Sequence, residues 1–176
     1  MQTYTVEDYE KLSGEDRWEL IKGVFHMFMS PSPIRKHQRI SSGLGTEILN
    51  KVRKKKYELY YAPFDVELDK DTVVQPDILL ICDLNKLSEK RCVGSPELIV
   101  EILSKSSVQR DAVEKFNLYQ EYGVKEYWIV YPDEELVYVY TLINGGYGEP
   151  VVYNKHQEIV LSVDADIVID LSEVFV

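Results

Sequence analysis

The chain reads as an α/β domain with a central mixed β-sheet flanked by helices. Three observations predict this. The segments run in the order hairpin, long helix, several strands, helix, strands, so both element types share one core. Buried strands are expected in Val73–Cys82, around Leu98–Leu103, and in Glu126–Tyr131, and the middle run leaves no clear polar face. The 176 residues, 45% of them apolar and 28% charged, suit one domain over residues 1–176 that buries its core without disulfides or metals.

Taken in order, Thr5 is the expected N-cap of a short helix ending near Leu12, with Glu7 and Asp8 in its first turn. Arg17–Ile21 and Val24–Met29 form a hairpin around Lys22-Gly23, where the glycine supplies the positive φ such a turn needs. Ser30-Pro31-Ser32-Pro33 is a rigid connector. A long helix, about Ile34 to Lys55, follows with Ile40, Leu44, Ile48, Leu49 and Val52 near helical spacing. Gly43 and Gly45 weaken its middle or mark close packing against a neighbour.

Tyr57–Leu68 is strand-like, with Pro63 suggesting an edge or a bulge. Val73–Cys82 is interrupted at Pro76-Asp77, and Asp83–Val93 is a polar loop or short helix. After the Leu98–Leu103 strand, Ser104–Ser107 caps a helix from about Val108 to Tyr122. Its inward positions are Val108, Ala112, Lys115 or Phe116, and Tyr119, and Gly123 terminates it. Glu126–Tyr131 pairs with Leu136–Leu142, and smaller strands and a terminal helical turn complete the chain.

The net charge of −10 argues against a broad surface for coating nucleic acid but leaves room for a local basic groove. Cys82 and Cys92 have no metal-binding spacing and read as free, mostly buried thiols in a reducing compartment. No run reaches the length of a membrane span and the N-terminus has no signal-peptide pattern, so a cytoplasmic protein is expected.

The chemistry centres on Glu101, one carboxylate inside an apolar strand. Such a charge needs a metal ion, a cationic side chain or hydrogen-bond donors. Asp77 enters a neighbouring apolar strand, and if the two strands pair, both acids can face one cleft. Two carboxylates without thiolates suit Mg²⁺ or Mn²⁺ rather than zinc. The Ile102 backbone carbonyl could add a third oxygen, and Glu19 a fourth if the first hairpin packs nearby. Asp111 and Lys115 have the i, i+4 spacing of a surface ion pair. Yet Lys115 lies on the face expected to meet the sheet, where it could stabilise a developing phosphorane or orient an attacking water. Arg35, Lys36, His37 and Arg39 at one end of the long helix, and Lys54 in the basic run at the other, are candidate contacts to backbone phosphates. His26 and His156 read as structural.

Several stretches together resemble the Uma-type restriction endonucleases of the PD-(D/E)xK nuclease superfamily. They are Trp18–Gly23, Ser30–Pro33 with His37-Gln38, Ala62–Val66, Val74–Ile78, Pro96–Ser104, Asp111 through Lys115 to Tyr119, Gly123–Val130 and Gly146-Tyr147. The resemblance implies a restriction-endonuclease-like core. It also implies that Asp77 matches the Asp of the PD motif, that Glu101 matches the acid of the (D/E)xK motif, and that Glu19 matches an acid of the first shared segment. Leu103 stands where that motif has lysine, so the implied substitute is Lys115 from the next helix. The function that follows is Mg²⁺-dependent hydrolysis of phosphodiester bonds in DNA, with RNA as a further possible substrate, by a homodimer that reaches both strands. The competing expectation is a catalytically degenerate nuclease-fold module used for binding or assembly, with Asp77, Glu101 and Lys115 as a buried network.

Overall fold

The computed structural model describes residues 3–12, 17–27, 35–103 and 110–175, with side chains at 110–112 outside the description. The expected connector Ser30–Pro33, the cap Ser104–Ser107, Val108 and the side chains of Asp111 and Ala112 therefore lie outside the described residues. In chain order the elements are α1 (Val6–Tyr9), β1 (Trp18–Ile21), β2 (Val24–Met27), α2 (Arg35–Val52), β3 (Glu58–Tyr61), β4 (Asp65–Asp69), β5 (Thr72–Val74), β6 (Ile78–Ile81), β7 (Arg91–Val93), β8 (Leu98–Ile102), α3 (Arg110–Glu121), β9 (Glu126–Tyr131), β10 (Leu136–Ile143), β11 (Gly146–Tyr147), β12 (Val151–Asn154), β13 (Glu158–Val160) and β14 (Val168–Asp170). Short 3-10 turns at Leu84–Lys86 and Leu171–Glu173 complete the set.

The expected central mixed sheet is present, and a second principal sheet packs with it. A seven-stranded sheet runs β11-β10-β9-β8-β6-β3, with β12 also on β10, and a five-stranded sheet runs β2-β1-β5-β4-β7. Each is mixed. The pair β8–β9 is parallel in the first, β4–β7 is parallel in the second, and the other pairs are antiparallel. Two expected long strands are each divided between the sheets. Tyr57–Leu68 breaks at Ala62-Pro63, where β3 ends in the larger sheet and β4 starts in the smaller. Val73–Cys82 breaks at Gln75-Pro76-Asp77 in the same way. Proline cannot donate to a ladder, so both breaks fall where the chain can leave one sheet for the other.

One face of the larger sheet buries α2 and the C-terminal ribbon. Ile40, Leu44, Ile48 and Val52 of α2 pack with Ile78, Leu98, Val100, Ile102, Trp128, Ile169 and Leu171. Each of these four α2 side chains contributes on the order of 1.5–3 kcal/mol through burial. The glycines of α2 do mark close packing. A Cβ on Gly45 would meet the Tyr61 hydroxyl at 2.1 Å, and one on Gly43 would meet Val174 at 3.4 Å. The opposite face buries α3 and the smaller sheet, joining Leu118 and Tyr119 to Leu79, Ile99, Tyr127, Ile129, Val66 and Val74. Strand β8 is covered on both faces, which is why it shows no polar side in sequence. The β1–β2 turn holds Lys22 and Gly23 at φ 49 and 77, as a tight hairpin requires. Among the described residues no helix is long and apolar enough to cross a membrane.

Candidate active site

The strand register brings the two key acids together. β6 pairs with β8 so that Ile78 opposes Val100, and one further step along that register sets Asp77 opposite Glu101. Asp77 is fixed there by the Ile102 backbone N–H, which donates to its Oδ2 at 2.8 Å. Asp77, just before β6, meets the start of α2, and Glu101 lies on the face covered by α3.

From that helix, Lys115 and Tyr119 lie one turn apart and reach the same atom. Lys115 Nζ donates to Glu101 Oε1 at 2.9 Å, and the Tyr119 hydroxyl donates to it at 2.8 Å. Lys115 is also 3.0 Å from Glu19 Oε1, so one buried cation joins two acids from two different sheets. Glu19 reaches this point because β1 carries it inward at 4% exposure. The Gln75 backbone N–H donates to the same Glu19 oxygen at 2.9 Å. Behind it, Gln75 Nε2 donates to Asp65 Oδ1 at 2.8 Å and to the Tyr9 hydroxyl at 3.2 Å.

His37, near the start of α2, sits over Asp77, with Nε2 at 3.2 Å from Oδ2. Its side chain is only 12% exposed, so it is not a solvated helix residue. Arg35 and Arg39 are exposed on the same helix end, and Lys36 forms an ion pair with Asp133 at 3.0 Å. Lys54 follows the other end of α2. Eighteen residues of helix span about 27 Å, so Lys54 is not brought to the acids.

Electrostatics follow from burial. Desolvation, opposed by Lys115 and reinforced by Asp77 and Glu19, pushes the Glu101 carboxyl up to about 7. Burial works against the Lys115 charge, but Glu101 and Glu19 outweigh it and hold the ammonium above its ordinary range. The hydrogen bond from His37 to Asp77 raises the imidazole despite burial, and Glu101 and the Ile102 carbonyl add to this. Burial and Glu101 raise the Tyr119 hydroxyl, so it remains a donor.

Among the described residues no three His, Cys, Asp or Glu side chains are grouped to hold a metal by themselves. The donor set nevertheless suits a hard cation. Mg²⁺ characteristically takes one or two carboxylates and fills its other positions with water and substrate phosphate. Asp77 and Glu101, each held at only one oxygen by described residues, provide that pair. Glu19 and Lys115 form the adjoining part of the cluster.

The Uma2 family model, described as "Putative restriction endonuclease", matches residues 6–172. The chain belongs to this family. A crystal structure from Anabaena variabilis ATCC 29413, described as "a putative nuclease belonging to DUF820", is similar to this chain with a TM-score of 0.78. The match covers 97% of both chains at 20% sequence identity, which speaks to the shared fold. No curated protein matches the chain. The Uma2 assignment is the one expected from the residues around Glu19, Asp77 and Glu101.

Sequence reading missed two things here. Tyr119 was visible as an inward position, but not its hydroxyl as a Glu101 donor. Gln75 was read only as part of a strand, though it ties Glu19 to Asp65. The adjacent Pro76 break was the available signal, because a residue leaving a ladder has its backbone N–H free for a side chain.

Proposed function

We propose that this Uma2 protein is a Mg²⁺- or Mn²⁺-dependent endonuclease that hydrolyses phosphodiester bonds in DNA. The observation that carries the reading is the convergence of Asp77, Glu101 and Lys115 from β6, β8 and α3, at the ends of paired strands. Asp77 and Glu101, with the Ile102 carbonyl, would hold the cation. When bound, the cation supplies charge to polarise the scissile phosphate and lowers the pKa of water.

Lys115 is held protonated by its two acids, so it serves as a donor and positive charge, not as a base. It would orient the attacking water or balance the phosphorane charge. In the reaction the water oxygen bonds to phosphorus and the bridging ester oxygen departs, one water proton ending on that leaving oxygen and the other passing to solvent. Glu19 shares Lys115 with Glu101 and so sets where the ammonium sits. Arg35 and Arg39, exposed on the helix end that carries His37, would contact the DNA backbone, with Lys36 exchanging Asp133 for a phosphate. Two copies of the chain would offer one site to each strand.

The net charge of −10 and the paired state of Lys115 favour a second reading, a degenerate nuclease core retained for binding or assembly. Incubating the purified protein with supercoiled plasmid and with an RNA oligonucleotide, in Mg²⁺ and in Mn²⁺, separates the readings. Metal-dependent nicking of plasmid that disappears in Glu101→Gln supports the nuclease. Cleavage of RNA alone changes the substrate. No cleavage of either, together with no metal-induced rise in melting temperature, leaves the degenerate module.

A further inference from the structure

Each of the two acids at the strand ends is gripped at one oxygen by a pair of donors, and the grips are built alike. On Asp77, the Ile102 N–H and His37 Nε2 both approach Oδ2, at 2.8 and 3.2 Å. On Glu101, Lys115 Nζ and the Tyr119 hydroxyl both approach Oε1, at 2.9 and 2.8 Å. Among the described residues nothing donates to Asp77 Oδ1 or Glu101 Oε2. Glu19 and Asp65 of the adjoining cluster share this one-oxygen grip, at Oε1 and Oδ1, whereas the buried acids at the other end of β8 and β9 are held at both oxygens. Glu97 uses both oxygens, Oε1 for Lys86 and Oε2 for the Cys82 N–H. Glu126 also uses both, Oε1 for the Trp128 indole and Oε2 for the Ser162 N–H and hydroxyl.

We infer that His37 and Tyr119 are positioning residues of the phosphodiester site, each helping to hold one oxygen of a carboxylate so that the other oxygen is presented to the cation. The inference rests on the metal-dependent reading above. It assigns His37 to Asp77 rather than to a DNA phosphate. The chemical reason is orientational. A carboxylate free to rotate must be ordered when a cation binds, whereas one clamped at one oxygen is ordered beforehand, and partners of this kind tune affinity through the ligands they hold. Both side chains are placed for this and little else. Tyr119 is fully buried, with its ring against Tyr127 at 5.0 Å, so the hydroxyl is its only polar contact. His37 Nδ1 is buried without a hydrogen-bond partner, which leaves Nε2 as the nitrogen at work.

The test is calorimetric titration of the full chain with Mn²⁺ alone, with melting temperatures recorded on the same samples. Tyr119→Phe keeps the ring and removes the hydroxyl. His37→Leu removes the donor, and His37→Gln restores an N–H. Ser162→Ala removes one donor from Glu126 and serves as the control. Loss of such a partner typically weakens metal affinity by roughly 10–100-fold. That loss is expected for Tyr119→Phe and His37→Leu, with partial recovery in His37→Gln and none of it in Ser162→Ala. If the wild type binds Mn²⁺ and both positioning variants bind it equally well, the inference is wrong and the nuclease reading stands. If the variants lose affinity only in proportion to a fall in melting temperature, and His37→Gln recovers nothing, the two residues are structural and the inference is again overturned. A wild type that takes up no Mn²⁺ overturns both.

Discussion

The parallel strands β8 and β9 carry buried acids at both ends, and the two ends are built differently. At the entering end, the Glu126 N–H donates to the Glu97 carbonyl, and the side chains of both residues have every oxygen engaged by protein donors. At the leaving end, Glu101 and the neighbouring Asp77 have one oxygen engaged each. The first arrangement is a finished structural joint that ties Trp128 and Ser162 together. The second leaves Asp77 Oδ1 and Glu101 Oε2 without a donor among the described residues. Burial of a carboxylate is therefore no sign of chemistry in this protein.

That contrast can be broken by exchanging acids for isosteres at the two ends. Glu101→Gln keeps an oxygen acceptor for Lys115 and Tyr119 but removes the charge. Cation-based catalysis supplies several kcal/mol, so plasmid nicking should fall by about 1000-fold or more. The melting temperature of the metal-free protein should hardly change. Glu126→Leu should do the opposite. It strands the buried Trp128 indole, and one unpaired buried donor costs about 1–3 kcal/mol, while the exposed Ser162 donors turn to water. A loss of about 1–3 kcal/mol would lower the melting temperature by roughly 5 °C, while the Mn²⁺ affinity of the folded fraction stays as in wild type. A Glu126 variant that loses metal affinity with its fold intact would erase the distinction between the two ends.

Lys115→Met sharpens the comparison on the cation side. Loss of one positioned charge donor typically costs about 100–1000-fold in turnover, and that range is expected in nicking assays. Mn²⁺ should bind the variant no more weakly, because a competing positive charge has been removed.

The smallest effect is on pH dependence. The Glu101 carboxyl rises from 4.5 to about 7 on folding. The folded state therefore prefers the protonated form, and the stability this group contributes is complete below 4.5 and lost as pH climbs through about 7. His37 acts in the same direction, since its raised imidazole stabilises the fold in its charged form. Melting curves of the metal-free protein should thus decline across this window. The stabilisation gained from added Mn²⁺ should grow across it, because the cation displaces the Glu101 proton. A Mn²⁺ effect equal on both sides of pH 7 would remove Glu101 from the ligand set.

Much of this organisation was legible in the residues. The Lys22-Gly23 turn, the apolar stripe of α2 and the helix ending at Gly123 are local signals, and the structure has them. Glu101 stood out because charge in an apolar strand is costly, and Lys115 because it shared a face with Tyr119. The division of the chain between two sheets at Pro63 and Pro76 was not legible. A proline reports that a ladder is interrupted but not which sheet the next strand joins. His37 reads in sequence as a phosphate contact because its partner, Asp77, lies 40 positions away. Glu97 and Glu126 give no signal in sequence, because the engagement of both oxygens of each can be judged only in three dimensions.

The most direct measurement is a crystal of the wild-type protein soaked in Mn²⁺, with the ion located by its anomalous signal. The account predicts one peak between Asp77 and Glu101, contacting the oxygens that Ile102, His37, Lys115 and Tyr119 do not hold. Metal-dependent cleavage in solution by a protein whose only peak lies elsewhere, or that shows none at these two acids, would contradict it.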